Sequence, residues 1–197
     1  QTITSLDKDI PEIRHGILQG YLAKPQLPDS LGLVDAPPEK GSAAFMLDQE
    51  IANKYVTSND AAREAQAVID ADLSFPNATK AFNSVLPVQI TEQGTPHLYM
   101  ILRRSLADAG LSTYSAKNNY QRARPFMSNA APVCTPQDEA ALRKDGSYPS
   151  GHTAIGWAWA LILVEVFPEQ SDAILQRGKA FGDSRKFCNV HGYRDVV

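Results

Sequence analysis

The stretch "GSYPSGHTAIGWAWALILVEVF", Gly146 to Phe167, decides how this sequence is read. Ser150, Gly151 and His152 stand directly before a helical run, Ala154 to Val164, that is apolar all round. A helix of that kind belongs in a core rather than on a surface. The polar residues ahead of it are then a cap or a binding site. A helix N-terminus exposes unpaired N–H groups and carries about half a positive charge, so it holds anions. Gly151 lets an anion approach the backbone closely, Ser150 can donate a hydroxyl, and His152 in the first turn can give a proton to a leaving oxygen. Taken alone, Pro149–His152 reads more simply as a capping serine followed by a surface histidine.

The apolar run stops near Pro168 and is shorter than the roughly 20 residues of a membrane span, so no membrane partner is expected. The 197 residues suit one domain and the 43% hydrophobic content suffices for a core. A net charge of −3, without a Lys/Arg run, points away from nucleic acid. The start, "QTITSLDKDIPEIRHG", has no basic stretch followed by an apolar one, so a signal peptide is expected to be absent or already removed. Cys134 and Cys188 fit one disulfide in an exported protein and two idle thiols in a cytosolic one about equally.

Residues 1–40 read as an irregular segment punctuated by Pro11, Pro25, Pro28, Pro37 and Pro38. Helical patterning then begins and defines one domain over 41–197. Ala44, Leu47, Ile51 and Tyr55 recur at helical spacing, and Asn59 or Asp60 caps "AAREAQAVIDADL". "NATKAFNSVLPV" predicts a short helix closed by Pro87. "TPHLYMILRRSLADAG" predicts a helix with Thr95 as cap, Pro96 at its first position and Gly110 as stop. The next helix must break by Pro125, residues 126–148 form a long loop, and the C-terminal stretch is mostly helical. No strand ladder is evident, and the fold class is all-α.

Three motifs mislead. Arg14-His15-Gly16 begins like a histidine acid phosphatase signature, but Leu18 and Gly20 stand where Arg and Pro are needed. "DADLS", Asp70 to Ser74, resembles a haloacid-dehalogenase loop, which follows a strand, whereas "AREAQAVI" is helical. Asn77-Ala78-Thr79 is a glycosylation sequon whose plain reading is a helix cap. Two further constellations accompany the opening stretch. Lys117 and Arg124 are two helical turns apart and would share a face, where two cations repel unless an anion or carboxylate lies between them. His191 and Asp195, if helical, share a face at i, i+4. The carboxylate would fix the imidazole tautomer and leave the other nitrogen as nucleophile or base. Arg185 offers a fork that suits phosphate oxygens. Each has an ordinary reading as a solvated polar pair.

Together, Lys117-x6-Arg124-Pro125, Pro149-Ser150-Gly151-His152 and Ser184-Arg185-x5-His191-x3-Asp195 resemble, in order and spacing, the three-part signature of the PAP2 superfamily. "GSYPSGHT" and "PPEKGSAAFMLDQ" resemble its soluble bacterial branch, the class A non-specific acid phosphatases. The resemblance implies that His191 attacks phosphorus, Asp195 orients it and His152 protonates the leaving alcohol. It also implies that Lys117, Arg124, Ser150, Gly151 and Arg185 bind phosphate. No metal or other cofactor is implied, and the scarcity of histidines and of clustered carboxylates agrees. A Cys134–Cys188 disulfide, a periplasmic location and a homo-oligomer follow from the same resemblance. Expected partners are small phosphomonoesters, with phosphate or vanadate as inhibitor and phosphotransfer to alcohols as a side activity. The family alternatives are a vanadium-dependent haloperoxidase and an inactive anion-binding helical protein. Gly192-Tyr193-Arg194 departs from the usual Trp-Gln-Ser, and Arg194 could pair with Asp195. The chain ends at Val197, about one helix short of its relatives.

Overall fold

A computed structural model describes residues 9–197; the first eight residues of the irregular segment expected over 1–40 lie outside them. The described part of that segment is more ordered than its prolines suggest. Strands β1 (Glu12–Arg14) and β2 (Ile17–Leu18) form an antiparallel hairpin, correcting the expectation of no strand pairing. Arg14-His15-Gly16 lies at its turn, where Gly16 takes φ +78°, a conformation glycine adopts without strain. Helix α1 (Ser30–Leu33) follows, capped by Asp29. The segment is pinned to the domain by Asp108, which accepts from Tyr21 N at 2.8 Å and Leu22 N at 3.1 Å.

Helices α2 (Ala43–Val56) and α3 (Ala61–Ala71) begin at the side-chain caps Ser42 and Asp60. Residues 77–85 make two short 3-10 turns, Asn77–Ala81 and Asn83–Val85, instead of the expected α-helix. Asn77 opens the first turn, but the capping position belongs to Pro76, which has no capping side chain. Helix α4 (Pro96–Ser112) starts after Thr95 as expected but continues past Gly110. That glycine faces Ile155 of the apolar helix, so it serves packing rather than termination. Helix α5 (Tyr114–Tyr120) ends when Gln121 turns left-handed at φ 42°. The long loop expected over 126–148 holds α6 (Pro125–Asn129) and α7 (Glu139–Leu142).

Helix α8 (Gly151–Val166) packs against α9 (Ser171–Phe187) and α4, and α10 (Tyr193–Val196) closes the chain. The α8–α9 approach is close enough to require small residues. A Cβ on Gly178 would meet Ala160 Cβ at 2.5 Å, and one on Gly182 would meet Thr153 at 2.8 Å. These facing pairs run in opposite chain directions, so the two helices are antiparallel. Trp159, Phe181, Phe82, Leu102, Leu163 and Ile174 fill the core, and Trp159 Nε1 donates to the Leu102 carbonyl at 2.9 Å. The apolar helix is not buried all round, because Trp157 and Leu161 remain 43% and 48% exposed. No helix among the described residues is long and apolar enough to cross a membrane. Cys134 and Cys188 form a disulfide that ties the loop after α6 to the end of α9.

Candidate active site

Five chain segments bring the predicted residues together, but neither the Lys117–Arg124 pair nor the His191–Asp195 pair meets by the helical periodicity expected of it. Lys117 lies in α5, which stops before Arg124, so the two cations do not share a helix face. Arg124 is the residue before α6, held extended ahead of Pro125. They converge because Gln121 reverses the chain between them. Asp145 supplies the intervening carboxylate: its Oδ2 lies 3.1 Å from Arg124 Nη2 and 3.7 Å from Lys117 Nζ. Lys117 Nζ also donates to the Gly146 carbonyl at 2.7 Å. Burial lowers the Lys117 pKa to about 8, with Asp145 opposing the shift.

Ser150 caps α8, its hydroxyl accepting from Thr153 N at 3.2 Å. Its own N–H donates to the Asp195 carbonyl at 2.8 Å, which joins the α8 N-terminus to α10. A Cβ on Gly151 would approach Lys117 Cε at 3.9 Å, so this turn adjoins the α5 cation. His152 is not a surface residue. Its Nε2 lies 3.1 Å from the Ala71 carbonyl. A carbonyl only accepts, so Nε2 carries the hydrogen and Nδ1 is the nitrogen left to take a second proton. Burial, then the charge of Arg185, hold its pKa well below the ordinary value.

His191 and Asp195 are not on one helix face. His191 precedes α10 and Asp195 sits in its first turn. They still lie within ion-pair distance, Nδ1 to Oδ2 3.5 Å, without a hydrogen bond between them. Arg124 Nη1, which can only donate, meets His191 Nε2 at 3.0 Å, so that nitrogen carries the lone pair. Burial, then Arg124, Lys117 and Arg185, push the His191 pKa well below its usual value. Arg185, in the last turn of α9, is 2% exposed. Its Nε and Nη1 donate to nothing among the described residues, and burial lowers its pKa to about 10. A buried guanidinium with two unused N–H groups is costly unless an anion takes them.

Three residues were missed by the sequence reading. Asp145 had a signal, since it directly precedes "GSYPSGH" and two converging cations require a carboxylate. Asp48 stands in "PPEKGSAAFMLDQ" and Arg122 within Lys117-x6-Arg124, but nothing in the sequence pairs them, because they meet only in three dimensions. Arg122 Nη1 donates to Asp195 Oδ1 at 2.5 Å, and its Nη2 pairs with Asp48 Oδ2 at 2.5 Å. Arg122, not Arg194, therefore pairs with Asp195; the Arg194 side chain points to solvent while its N–H donates to Asp48 Oδ1 at 3.1 Å. Asp70 of "DADLS" is a brace. Fully buried, it accepts from Ser184 Oγ at 2.6 Å and Gln66 Nε2 at 2.9 Å, and pairs with Arg177.

Two open spaces flank these groups. One, of about 230 Å³, reaches Asp48, Arg122 and Asp195. The other, of about 530 Å³, runs past Ala71, whose carbonyl meets His152, to Thr135 and Asp138. Among the described residues no three His, Cys, Asp or Glu side chains gather where they could hold a metal ion.

A cradle of cations around two histidines at a helix N-terminus is the arrangement of a phosphate-handling protein. The chain belongs to the PAP2 superfamily, whose profile matches residues 98–197, and within it to the class A bacterial acid phosphatases. It is 44% identical over 177 residues to a non-specific acid phosphatase of Providencia stuartii, covering 89% of this chain and 71% of that protein. It is 39% identical over 168 residues to an acid phosphatase of Zymomonas mobilis, covering 85% and 64%. A Salmonella typhimurium non-specific acid phosphatase is 40% identical over 161 residues, covering 81% and 64%. The chain thus spans about two thirds of the length of these relatives.

Proposed function

We propose that this chain is a metal-independent acid phosphatase for small organic phosphomonoesters, working through a phosphohistidine. The observation that carries the reading is Arg185, a buried cation with two N–H groups unspent. Phosphate oxygens would take them. Lys117, Arg124, the Ser150 hydroxyl and the Gly151 N–H would hold the remaining oxygens. Such preorganised donors stabilise the charge that spreads over the equatorial oxygens during phosphoryl transfer.

His191 Nε2 attacks phosphorus as the bond to the leaving oxygen breaks, and His152 Nδ1 gives that oxygen a proton. Water then attacks the phosphohistidine, His152 takes the water proton, and phosphate leaves with His191 restored. An alcohol in place of water gives phosphotransfer. For Nε2 to attack, Arg124 Nη1 must turn from it onto a phosphate oxygen. His152 must also be protonated although its surroundings depress its pKa. Acid pH and the dianion of the bound substrate both favour that proton. The disulfide agrees with an exported, periplasmic protein. Inorganic phosphate and vanadate are the inhibitors this site fits, and the family resemblance suggests a homo-oligomer.

Hydrolysis of p-nitrophenyl phosphate from pH 4 to 9 with excess EDTA, combined with rapid quenching of 32P-labelled substrate, tests the proposal. Acid-side, EDTA-resistant turnover and an acid-labile, base-stable phosphoenzyme are expected. A rate that still rises above pH 8, or turnover abolished by EDTA, overturns it.

A further inference from the structure

The proposed catalysis gives no role to a half-buried arginine, Arg122, and a buried aspartate, Asp48, that lie on distant segments behind Asp195. We infer that Arg122, clamped by Asp48, is a positioning residue that fixes the Asp195 carboxylate and, through it, the His191 ring. The inference rests on the proposed role of His191 as nucleophile.

Asp195 is held from behind at both oxygens, Oδ1 by Arg122 Nη1 at 2.5 Å and Oδ2 by the Gly192 N–H at 2.7 Å. Only Oδ2 faces His191 Nδ1. A carboxylate anchored this way stands 3.5 Å from the imidazole in one orientation, where a small ring shift on substrate binding brings Nδ1–H onto it and aims the attacking nitrogen. Arg122 is fixed in turn by Asp48, whose other oxygen takes the Arg194 N–H at the start of α10. Asp48 therefore secures both the guanidinium and the helix that carries Asp195. Burial works against the charge of Arg122, but Asp195 and Asp48 outweigh it and raise its pKa. Asp48 and Asp195 are each only 4% exposed, and without the cation between them they would repel across Gly192. Gly192 leaves room for the cluster, since a Cβ there would lie 3.2 Å from Asp48 Oδ2 and 3.5 Å from Arg122 Nη1. This gives the stretch "PPEKGSAAFMLDQ" a purpose: it delivers Asp48 to the back of the site.

The 230 Å³ cavity reaches Arg122, Asp48 and Asp195 and is wide enough to admit guanidinium in place of the missing side chain. The test compares wild type, Arg122→Ala, Arg122→Lys and Asp48→Asn for kcat, phosphate Ki and melting temperature, with and without millimolar guanidinium. Arg122→Ala should lose about 10- to 100-fold in kcat, the range seen when the partner that orients a metal-bound histidine is removed. Phosphate Ki should stay unchanged, since both terminal nitrogens of Arg122 are spent on carboxylates. Guanidinium should restore part of kcat, and Asp48→Asn should show a smaller loss of the same kind. If Arg122→Ala does not fold, Arg122→Lys should fold and still lose kcat at constant Ki. Wild-type kcat in the variants, or kcat and Ki failing together without rescue, overturns the inference. A wild type that forms no phosphoenzyme overturns the histidine mechanism instead, so the two failures are separable.

Discussion

Arg124 Nη1 donates to His191 Nε2 across 3.0 Å, so the cation proposed to grip phosphate also covers the lone pair of the proposed nucleophile. The same side chain is anchored to the end of α7 and the loop after it: its Nε donates to the Leu142 and Asp145 carbonyls at 2.9 and 3.1 Å. Replacing it should remove a proposed phosphate ligand and release that loop. Arg124→Ala should lower kcat/KM by about 10²- to 10³-fold, the cost of one preorganised oxyanion donor. Phosphate inhibition should weaken in parallel, as measured by steady-state kinetics and competitive Ki. Equal Ki in both proteins would place Arg124 outside the cradle.

The leaving-group proton should come from His152. His152→Gln should slow hydrolysis of an alkyl phosphate such as glycerol phosphate by about 10²- to 10⁴-fold, the usual worth of general acid catalysis. p-Nitrophenyl phosphate, whose leaving group needs little protonation, should suffer much less. Equal losses on both substrates would assign His152 to binding instead.

Lys117 sets an alkaline limit. Burial lowers its pKa to about 8, so it is charged below that pH and neutral above it. Phosphate Ki should therefore rise as pH climbs through about 8, and Lys117→Arg should move that rise well upward because guanidinium keeps its proton. Stability of the ligand-free protein should do the reverse. Between pH 8 and about 10.4 the unfolded lysine holds a proton that the folded one has lost, so stability from this group increases with pH in that window. Thermal melts at pH 7.5 and 9.5, read as the difference between wild type and Lys117→Met, isolate the effect.

Arg185 should trade stability for phosphate binding. Replacing a buried, incompletely paired charge by an apolar group of similar volume is often neutral or stabilising, by about 1–4 kcal/mol. Arg185→Met should thus keep or raise the melting temperature while losing phosphate binding. Saturating phosphate should stabilise wild type by about 2.7 kcal/mol at 100 times Kd and leave the variant unmoved. A sharp drop in melting temperature for Arg185→Met would show that its charge braces the fold.

The disulfide closes a chain separation of 54 residues. On the loop-entropy account such a crosslink stabilises by about 4 kcal/mol. The Cys134→Ser/Cys188→Ser double variant should show a corresponding loss in denaturant melts. An unchanged midpoint would mean that the loop after α6 is held by other contacts, such as Asn189 Nδ2 to the Ala131 carbonyl at 3.1 Å.

The sequence by itself determined the helical class, because the α2, α3, α4, α8 and α9 segments carry local signals in their caps and apolar spacing. It also named the residues proposed for the site, since Lys117, Arg124, Ser150, Gly151, His152, Arg185, His191 and Asp195 stand in a recognisable order. How they meet was decided by tertiary structure. The helix expected to carry both Lys117 and Arg124 breaks at Gln121, and His191 lies outside the helix that holds Asp195. Periodicity describes only neighbours along one helix, whereas these groups are joined by chain reversals between helices. The hairpin at residues 12–18 and the 3-10 turns at 77–85 were equally hidden, because they are stabilised by docking rather than by propensity. The Asp48–Arg122–Asp195 cluster is the clearest case. Its members lie 74 and 73 residues apart, and a buried ion pair at that separation leaves no mark on the sequence near either partner. Only the packing of α2 against α6 and α10 brings Asp48 to Arg122 and Asp195, and the burial of both carboxylates strengthens their pairing with the cation.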